Sequence, residues 1–137
     1  MMKNILALVF VSGILILSAC EKDEQSEKFK MLTSNTWLTD SLLADGVDAS
    51  LPGGLLYRFK GEAKFNEDGS GTFGKFTGKW IFNADETQIT ITTDSLPLPI
   101  NSKIKELTAS SLKITAVVPN MLDLTKYFNV RMTFKAR

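Results

Sequence analysis

Side chains able to carry out nucleophilic or metal chemistry are scarce in this chain of 137 residues, which contains one cysteine, Cys20, and no histidine. Without an imidazole, neither a Ser-His-Asp triad nor a Cys-His pair can form, and a zinc site that depends on histidine is excluded. A disulfide within the chain is excluded as well, because it requires two cysteines. The stability of the folded chain must therefore come from its hydrophobic core.

Carboxylates are the remaining side chains that could act as acids and bases, as the paired carboxylates of glycosidases do. They fall on the polar faces of predicted strands or in predicted turns, where an acidic residue is ordinarily solvated. No spacing among them marks a pair. The sequence therefore predicts a protein that is not an enzyme and that needs no cofactor. The acids considered are Asp40, Asp45, Asp48, Glu62 and Glu106.

Residues 66–71, Asn-Glu-Asp-Gly-Ser-Gly, place oxygen-bearing side chains at alternate positions, as the first half of a calcium-binding loop does. The twelfth position of such a loop would be Thr77 instead of a bidentate glutamate, and predicted strands flank the segment where helices are required. We interpret the segment as a hairpin turn in which Gly69 and Gly71 supply positive φ angles. The sequence predicts no metal site.

The first twenty residues are organised as a targeting segment. Lys3 precedes a mainly apolar run, residues 5–17, that ends in the tetrad Leu17-Ser18-Ala19-Cys20. A cation followed by such a run is typical of a secretory signal peptide. The run is shorter than the roughly 20 apolar residues that a membrane-spanning helix needs, and four charged residues follow Cys20 directly. An uncleaved N-terminal anchor with a free thiol is the alternative interpretation.

The tetrad ending at Cys20 resembles the lipobox of bacterial lipoproteins, whose cysteine receives a diacylglycerol and becomes the first mature residue. The resemblance implies a signal peptide over residues 1–19, a lipid on Cys20 and attachment to the outer membrane. Residues 20–28 are predicted to form a polar, disordered tether, because residues 21–28 contain no apolar side chain. This acidic stretch also resembles the export signal of surface-exposed lipoproteins, so both a periplasmic and a cell-surface orientation stay open.

The charge balance bears on which partners the chain can have. Only Lys3 of the 16 basic residues precedes Cys20, so the chain from Cys20 onward has 15 basic and 15 acidic side chains. A neutral domain of this kind lacks the basic stripe that binds phosphate backbones, and no nucleic-acid partner is predicted. The predicted partners are a membrane, through the lipid on Cys20, and a small apolar ligand. The sequence specifies no protein partner.

From residue 36 onward, apolar and polar residues alternate with the period of β-strands. The most regular segments are Leu55–Phe65 and the final segment, residues 127–135. Short turns rich in Asn, Asp, Gly and Ser separate the segments and predict antiparallel neighbours. A single helical turn is predicted at residues 27–32. About eight strands result, the others including residues 76–82, 89–91, 103–107 and 112–118.

A meander of eight antiparallel strands with one apolar face can bury that face by curling into a closed barrel. We therefore predict an all-β domain over residues 29–137, an eight-stranded antiparallel up-and-down barrel, with a β-sandwich as the alternative. The predicted inward side chains are Leu55, Tyr57, Phe59, Ala63, Phe65, Phe76, Trp80, Phe82, Ile89, Ile91, Ile104, Leu112, Ile114, Val118, Phe128, Val130, Met132 and Phe134.

Several landmarks occur in the order found in small bacterial lipocalin-like lipoproteins: Trp37 opening the first strand, the turn Phe65–Gly69, the Gly78-Lys79-Trp80 strand and residues 104–108. From about residue 31 to residue 134, the chain resembles that family. The resemblance implies a lipocalin fold in which Trp37, Gly69 and Gly78 have structural roles. It also implies that an arginine of the final strand, Arg131 or Arg137, stacks on Trp37.

A ligand site is predicted at the mouth of the barrel, near the long segment 44–54. The loops at residues 95–99 and 119–125 should lie at the same end, because alternate connections of a meander share an end. Apolar loop residues there would suit a small hydrophobic or amphipathic ligand. A solid core with a protein-interaction or structural role in the cell envelope is the alternative. The predicted ligand-binding residues are Val47, Leu51, Tyr57, Phe59, Trp80, Phe82, Leu98, Leu122 and Phe128.

Overall fold

A computed structural model describes residues 25–137 of the chain. The predicted signal peptide, the lipid on Cys20 and the tether as far as residue 24 lie outside the described residues. Within the described part, no helix is both long enough and apolar enough to cross a membrane.

The described chain begins with one helix, α1 (Glu27–Ser34). Ser26 caps it, since its hydroxyl accepts a hydrogen bond of 3.0 Å from the backbone N–H of Phe29. The helix begins at Glu27, as the predicted helical turn does, and extends two residues beyond the predicted end at Leu32. Glu27 and Lys28 therefore belong to the helix, and the predicted tether over residues 20–28 is too long by these two residues. It ends where Asn35 becomes extended and leads into the first strand.

Nine strands follow α1 in the described part of the chain. Eight of them build the barrel, and the two-residue strand β2 only extends the pairing at the end of β1. The strands are β1 (Thr36–Ala44), β2 (Val47–Asp48), β3 (Glu62–Phe65), β4 (Ser70–Phe73), β5 (Phe76–Phe82), β6 (Gln88–Thr93), β7 (Ile100–Leu107), β8 (Ser111–Pro119) and β9 (Tyr127–Ala136).

The sheet is an antiparallel meander that closes on itself. Each strand from β3 to β9 pairs with its neighbour in the chain, and β1 pairs with both β3 and β9. The pairing of β1 with β9, from Trp37 opposite Ala136 to Ala44 opposite Val130, completes the ring. The predicted eight-stranded antiparallel barrel is thus confirmed. A sandwich would have left these strands in separate sheets.

The single long strand predicted over Leu55–Phe65 is wrong. Residues 55–60 form turns and a short 3-10 helix (Tyr57–Phe59), and β3 begins only at Glu62, after Gly61 with a φ of +121°. The side chains that this segment buries are Leu56 and Phe59, three residues apart, which is the 3-10 spacing. Leu55, predicted to point inward, is exposed.

Strand β4 was missed, because we assigned its first two residues to the preceding turn. Gly69 does have the positive φ expected of a turn, at +91°, and its carbonyl accepts a hydrogen bond from Trp80 N. Gly71, however, has no positive φ and lies in β4, where it pairs with Gly78 of β5. The prediction is therefore right for Gly69 and wrong for Gly71.

The core lies inside the barrel, as the alternation predicted. Most of the predicted inward residues are buried, while Tyr57, Phe82, Ile104, Val118 and Phe128 are only partly so. The prediction omitted several buried side chains on the helix and strands, namely Leu32, Trp37, Leu42, Phe73 and Ile100.

The two ends of the barrel differ in their connections. At the closed end, α1 enters β1, and short turns occupy residues 66–69, 83–87 and 108–110. At the open end, the connections 45–61, 94–99 and 120–126 are longer, and a two-residue turn at residues 74–75 joins β4 to β5. The prediction that the loops after the first, fifth and seventh long strands share one end is thus confirmed by the topology.

Helix α1 covers the closed end. The indole N–H of Trp37 donates to the carbonyl of Leu32 at 3.0 Å, and both side chains are fully buried. The ammonium group of Lys64 donates to the carbonyl of Thr33 at 2.8 Å, so two of the carbonyls in the last turn of the helix have partners.

The predicted stacking of Arg131 on Trp37 is wrong. Arg131 is exposed and lies opposite Leu43 and Thr115, whereas Trp37 points inward opposite Ala136, five residues farther along β9. The guanidinium group of Arg137 pairs instead with the carboxylate of Glu62. Neither Arg131 nor Arg137 therefore stacks on Trp37 as the resemblance implied.

Candidate ligand-binding cleft

A cleft forms at the closed end, where β4 is shorter than β5. The last pair between the two strands is Ser70 opposite Lys79, and β5 continues to Phe82. Trp80 N still donates to Gly69 O at 2.9 Å, but in the described part of the chain no strand flanks Ile81 and Phe82 on that edge. The wall of the barrel is therefore interrupted at this point.

The cleft has a volume of about 840 Å³ and is open to solvent. This volume falls within the range of roughly 300–1,000 Å³ that is usual for small-molecule sites. Its walls come from α1, the two turns beside it, and strands β5 and β6. They consist of Phe29, Glu67, Asp68, Gly69, Ser70, Lys79, Trp80, Ile81, Phe82, Glu86, Thr90 and Thr92.

Three aromatic rings form the floor of the cleft. The ring of Trp80 lies 5.7 Å from that of Phe29 and 5.3 Å from that of Phe82, the latter in an edge-to-face arrangement. The indole N–H of Trp80 donates to the carbonyl of Asn66 at 2.9 Å, so its polar atom has a partner. The floor is thus apolar and its central ring is fixed in orientation.

The outer wall continues the apolar surface beyond the floor. Ile81 points outward from β5 with 65% of its side chain exposed, and it lies opposite Thr90 of β6. Lys79 lies opposite Thr92 on the same outer face. A ligand that reached from the floor onto this face would contact apolar and hydroxyl groups in succession.

Carboxylates border the cleft on the side of the turns. Glu67 and Asp68 belong to the turn before β4, and Glu86 belongs to the turn before β6. The hydroxyl and backbone N–H of Ser70 donate to Asp68 at 2.6 and 2.9 Å, which lowers the pKa of that carboxyl. Among the described residues that line the cleft, Lys79 is the one cation, so the border is anionic and should disfavour anionic ligands.

The start of the described chain lies across the mouth of the cleft. The amide of Gln25 donates to Glu67 at 3.4 Å, and the hydroxyl of Ser26 donates to Glu86 at 2.7 Å. The ammonium group of Lys28 also reaches the carbonyl of Glu86, at 3.4 Å. The segment that precedes α1 is therefore held between the two turns that border the cleft.

The structure separates the nine predicted ligand-binding residues into two groups. Trp80 and Phe82 line the cleft at the closed end. The other seven lie at or near the open end, so the nine side chains do not surround one cavity. This second group consists of Val47, Leu51, Tyr57, Phe59, Leu98, Leu122 and Phe128.

At the open end, predicted interior rings pack against their neighbours. Phe59 lies 4.6 Å from Phe76, measured between ring centres, and the guanidinium group of Arg58 stacks over Phe76 at 4.7 Å. Tyr57 and Phe128 are half-buried, whereas Val47, Leu51, Leu98 and Leu122 are exposed on loops. These residues form a surface at the open end.

Two cleft residues were missed although the sequence carried a signal for each. Phe29 and Leu32 are three residues apart behind the capping residue Ser26, which is the spacing of a short amphipathic helix. Ile81 interrupts the alternation of β5, because Trp80, Ile81 and Phe82 are three apolar residues in a row. An apolar residue on the outward phase of a strand indicates a surface feature.

Two hydroxyl groups inside the barrel have no hydrogen-bond partner among the described residues. They are Ser102 Oγ on β7 and Thr93 Oγ1 on β6, both buried on the inward face. Ser102 lies opposite Ile89 and Ala116 in the sheet. The interior is thus apolar apart from a few hydroxyl groups.

Metal chemistry finds no support in the part of the chain that the structure describes, where no three His, Cys, Asp or Glu side chains converge as metal ligands do. The segment that imitated a calcium loop is a turn in which Asp68 accepts hydrogen bonds from Ser70. Its carboxylate is engaged within the turn.

Comparisons with known proteins define the class of the fold. The chain matches no protein-family model and no curated protein sequence. Among solved structures, it resembles bovine odorant binding protein in complex with a selenium-containing odorant, with a TM-score of 0.55 and 12% sequence identity. The match covers 85% of this chain and 77% of that chain. The fold is therefore that of a lipocalin-like β-barrel, and at this identity the likeness concerns the fold alone.

Proposed function

We propose that this domain is a non-catalytic binding module that holds a small apolar or amphipathic molecule in the cleft at the closed end. The observation that carries the proposal is the aromatic floor of Phe29, Trp80 and Phe82 in a cleft of about 840 Å³. Removing apolar surface from water contributes about 25 cal/mol per Å². A ligand therefore gains affinity by covering the exposed parts of Phe29, Phe82 and Ile81, while Trp80, which is 6% exposed, packs against both rings. The threonines and carboxylates of the border would orient a polar group.

The similar odorant binding protein is in complex with a selenium-containing odorant. It supports the proposal only through the shared barrel fold, and it does not support a particular site or ligand. The cleft lies at the opposite end of the barrel from the predicted site, where Phe59 packs against Phe76. The anionic border favours neutral or cationic molecules over anionic ones.

The second part of the proposal is attachment to the outer membrane through a diacylglycerol on Cys20, with the domain facing the periplasm or the cell surface. The apolar run and the tetrad at residues 17–20 support it. Metabolic labelling with a radioactive fatty acid tests it, since label should enter the wild-type chain and be lost in Cys20→Ser. Equal labelling of both chains would contradict the anchor.

Binding can be tested with N-phenyl-1-naphthylamine, a neutral fluorescent probe. We expect saturable binding that Phe82→Ser weakens about tenfold, because burial of a Phe side chain contributes about 1.5–3 kcal/mol. Phe128→Ser is the matched control, since it removes a half-buried ring at the open end. If Phe128→Ser weakened binding and Phe82→Ser did not, the site would lie at the open end and the cleft proposal would be wrong.

A protein-interaction function is the second candidate, and the exposed apolar loops at the open end favour it. Leu122 is 97% exposed and Leu124 is 75% exposed, and Val47 and Leu98 lie on neighbouring loops. Contiguous exposed apolar groups often mark a binding surface. If wild-type protein fails to bind the probe at all, this second candidate is the function that the geometry then supports.

A further inference from the structure

We infer that the cleft takes up the acyl chain of the lipid on Cys20 of the same molecule whenever the protein is away from a bilayer. The inference rests on the proposed ligand-binding function and on the proposed lipidation. It assigns to the cleft an occupant that belongs to the chain itself.

The position of the chain at the mouth of the cleft makes this occupant reachable. Ser26 is bonded to Glu86, and Gln25 to Glu67, on the two turns that border the cleft. Only residues 21–24 separate Gln25 from Cys20. Five residue steps span at most about 18 Å when extended, so chain length alone limits the separation of the Cα atoms of Cys20 and Gln25 to that distance.

The chemistry of the cleft matches an acyl chain better than it matches the tether. The floor consists of Phe29, Trp80 and Phe82, and Ile81 extends the apolar surface outward. Residues 21–24 carry three carboxylates and one ammonium group, so they offer no apolar side chain to this floor. A neutral hydrocarbon chain is attracted to the floor and is not repelled by the border.

Because the linker is short, the acyl chain on Cys20 can fill the cleft even if its intrinsic affinity for the cleft is low. A ligand held by a short flexible linker has an effective concentration of the order of 1 mM. A cleft with a dissociation constant of about 10 µM for a free acyl chain would then be filled in about 99% of molecules. Any external ligand of similar intrinsic affinity must compete with this internal one.

In the presence of a bilayer, we expect the acyl chain to leave the cleft and enter the membrane. A membrane buries the whole acyl chain, whereas the open cleft covers only part of it, so more methylene groups leave water in the membrane than in the cleft. The acyl chain therefore leaves the cleft when a bilayer is present, and the cleft becomes available to other ligands at the membrane. The open end takes no part, because the described chain starts at the closed end.

The test attaches an acyl chain to the lone cysteine of the chain from Cys20 onward, which retains every residue that the structure describes. N-hexadecylmaleimide adds the Cys20 thiol across its double bond, and N-ethylmaleimide serves as the short-chain control. A Cys20→Ser, Leu122→Cys protein that carries the same C16 group at the open end is the positional control. The readouts are the affinity for N-phenyl-1-naphthylamine and tryptophan emission, measured on monomeric fractions.

We expect C16 attachment at Cys20 to raise the apparent dissociation constant of the probe at least about tenfold, as a tethered competitor does. Adding neutral lipid vesicles should restore probe binding. Tryptophan emission should shift only with the C16 group at Cys20, since Trp37 is fully buried and Trp80 lines the cleft. Neither control protein should differ from the unlabelled chain.

Unchanged probe affinity and unchanged emission in the C16-labelled Cys20 protein would overturn the inference and leave the proposed function intact. Equal loss of affinity in the Leu122→Cys control would also overturn it, because the effect would then not depend on position. If the unlabelled chain does not bind the probe, the proposed function fails and the inference fails with it.

Discussion

The two ends of the barrel contain the same kind of turn but differ in how far they are covered. At the closed end Asp68 accepts hydrogen bonds from Ser70, and at the open end Asp123 accepts them from Thr125. Both carboxyls have a lowered pKa for this reason. The closed end is nevertheless covered by α1 and its aromatic contacts, while the open end presents exposed leucines. Turn type therefore does not decide which end is covered.

What differs is the presence of a covering element with buried partners. Helix α1 contributes Leu32 to the core and its carbonyls to Trp37 and Lys64. The 94–99 and 120–126 loops of the open end bury no side chain, although the 45–61 loop buries Ala49, Leu56 and Phe59. We therefore expect mutations at the closed end to change the free energy of unfolding, and mutations on the 94–99 and 120–126 loops to change it little.

The largest effect is expected at Trp37. Trp37→Ala removes a fully buried side chain and leaves the carbonyl of Leu32 without its partner, so it should lower the free energy of unfolding by about 3–5 kcal/mol. Leu122→Ala, at the open end, should change it by less than about 0.5 kcal/mol. Urea denaturation measures both. Similar losses in the two variants would contradict the contrast between the ends.

A second test concerns Gly78, which pairs with Gly71 on β4. A Cβ at position 78 would clash with the carbonyl oxygen of Thr92, so Gly78→Ala should destabilise the fold by about 1–3 kcal/mol through overpacking. Gly46 at the open end has open space around it and a φ of +82°, and Gly46→Ala should cost about 1 kcal/mol from backbone strain. Thermal denaturation compares them, and a larger loss at Gly46 would refute the expectation.

Removal of the helix cap should have a smaller effect. Ser26→Ala leaves the backbone N–H of Phe29 and the carboxylate of Glu86 without their partner, with an expected loss of about 1 kcal/mol. Ser50→Ala is the control at the open end, where the hydroxyl only contacts Asp48 in an exposed turn. Its loss should stay within about 0.5 kcal/mol. Urea midpoints that order the two variants the other way would argue against a stabilising role for α1.

The smallest effect is expected from pH. Because the folded pKa of Asp68 lies below its ordinary value, the ionised carboxyl contributes stability above about pH 4 that is lost as the pH falls through the folded pKa. Asp68→Asn should therefore be less stable than wild type at neutral pH, and the gap should narrow on acidification.

Asp123→Asn is the matched variant at the open end and should show the same pH dependence, since the same kind of turn lowers the pKa of Asp123. Thermal midpoints of the two variants between pH 7 and about pH 3 provide the measurement. A gap that widened on acidification would contradict the assigned hydrogen bonds.

The barrel itself could be predicted from the sequence, since period-two alternation and short polar turns specify antiparallel strands with one buried face. The error over residues 55–60 has a physical cause. Leu56 and Phe59 are the buried residues, three positions apart. Leu55, Tyr57 and Phe59 are also apolar and lie two positions apart, so the segment imitates the alternation of a strand. The local sequence also does not show that Gly61, with its positive φ, is the last residue of a loop and lies outside the strand.

The cleft could be predicted only in part. Trp80 and Phe82 were identified as inward aromatic residues, but their exposure to a cleft depends on β4 being shorter than β5 and on the path of α1. Both are tertiary features. Strand lengths and the position of Phe29 over Trp80 arise from packing across more than fifty residues of chain, which local patterns do not encode.

The hydrogen bonds between β1 and β9 join the first and last strands, and the backbone N–H of Arg137 donates to the carbonyl of Thr36. The ring can therefore be completed only after β9 has been synthesised, and contacts so distant along the chain form slowly. Such a delay suits a polypeptide that we propose to be exported in an unfolded state. The pairing of β1 with β9 also places the two termini of the barrel side by side. A circular permutant with new ends in the 120–126 loop should therefore retain the barrel.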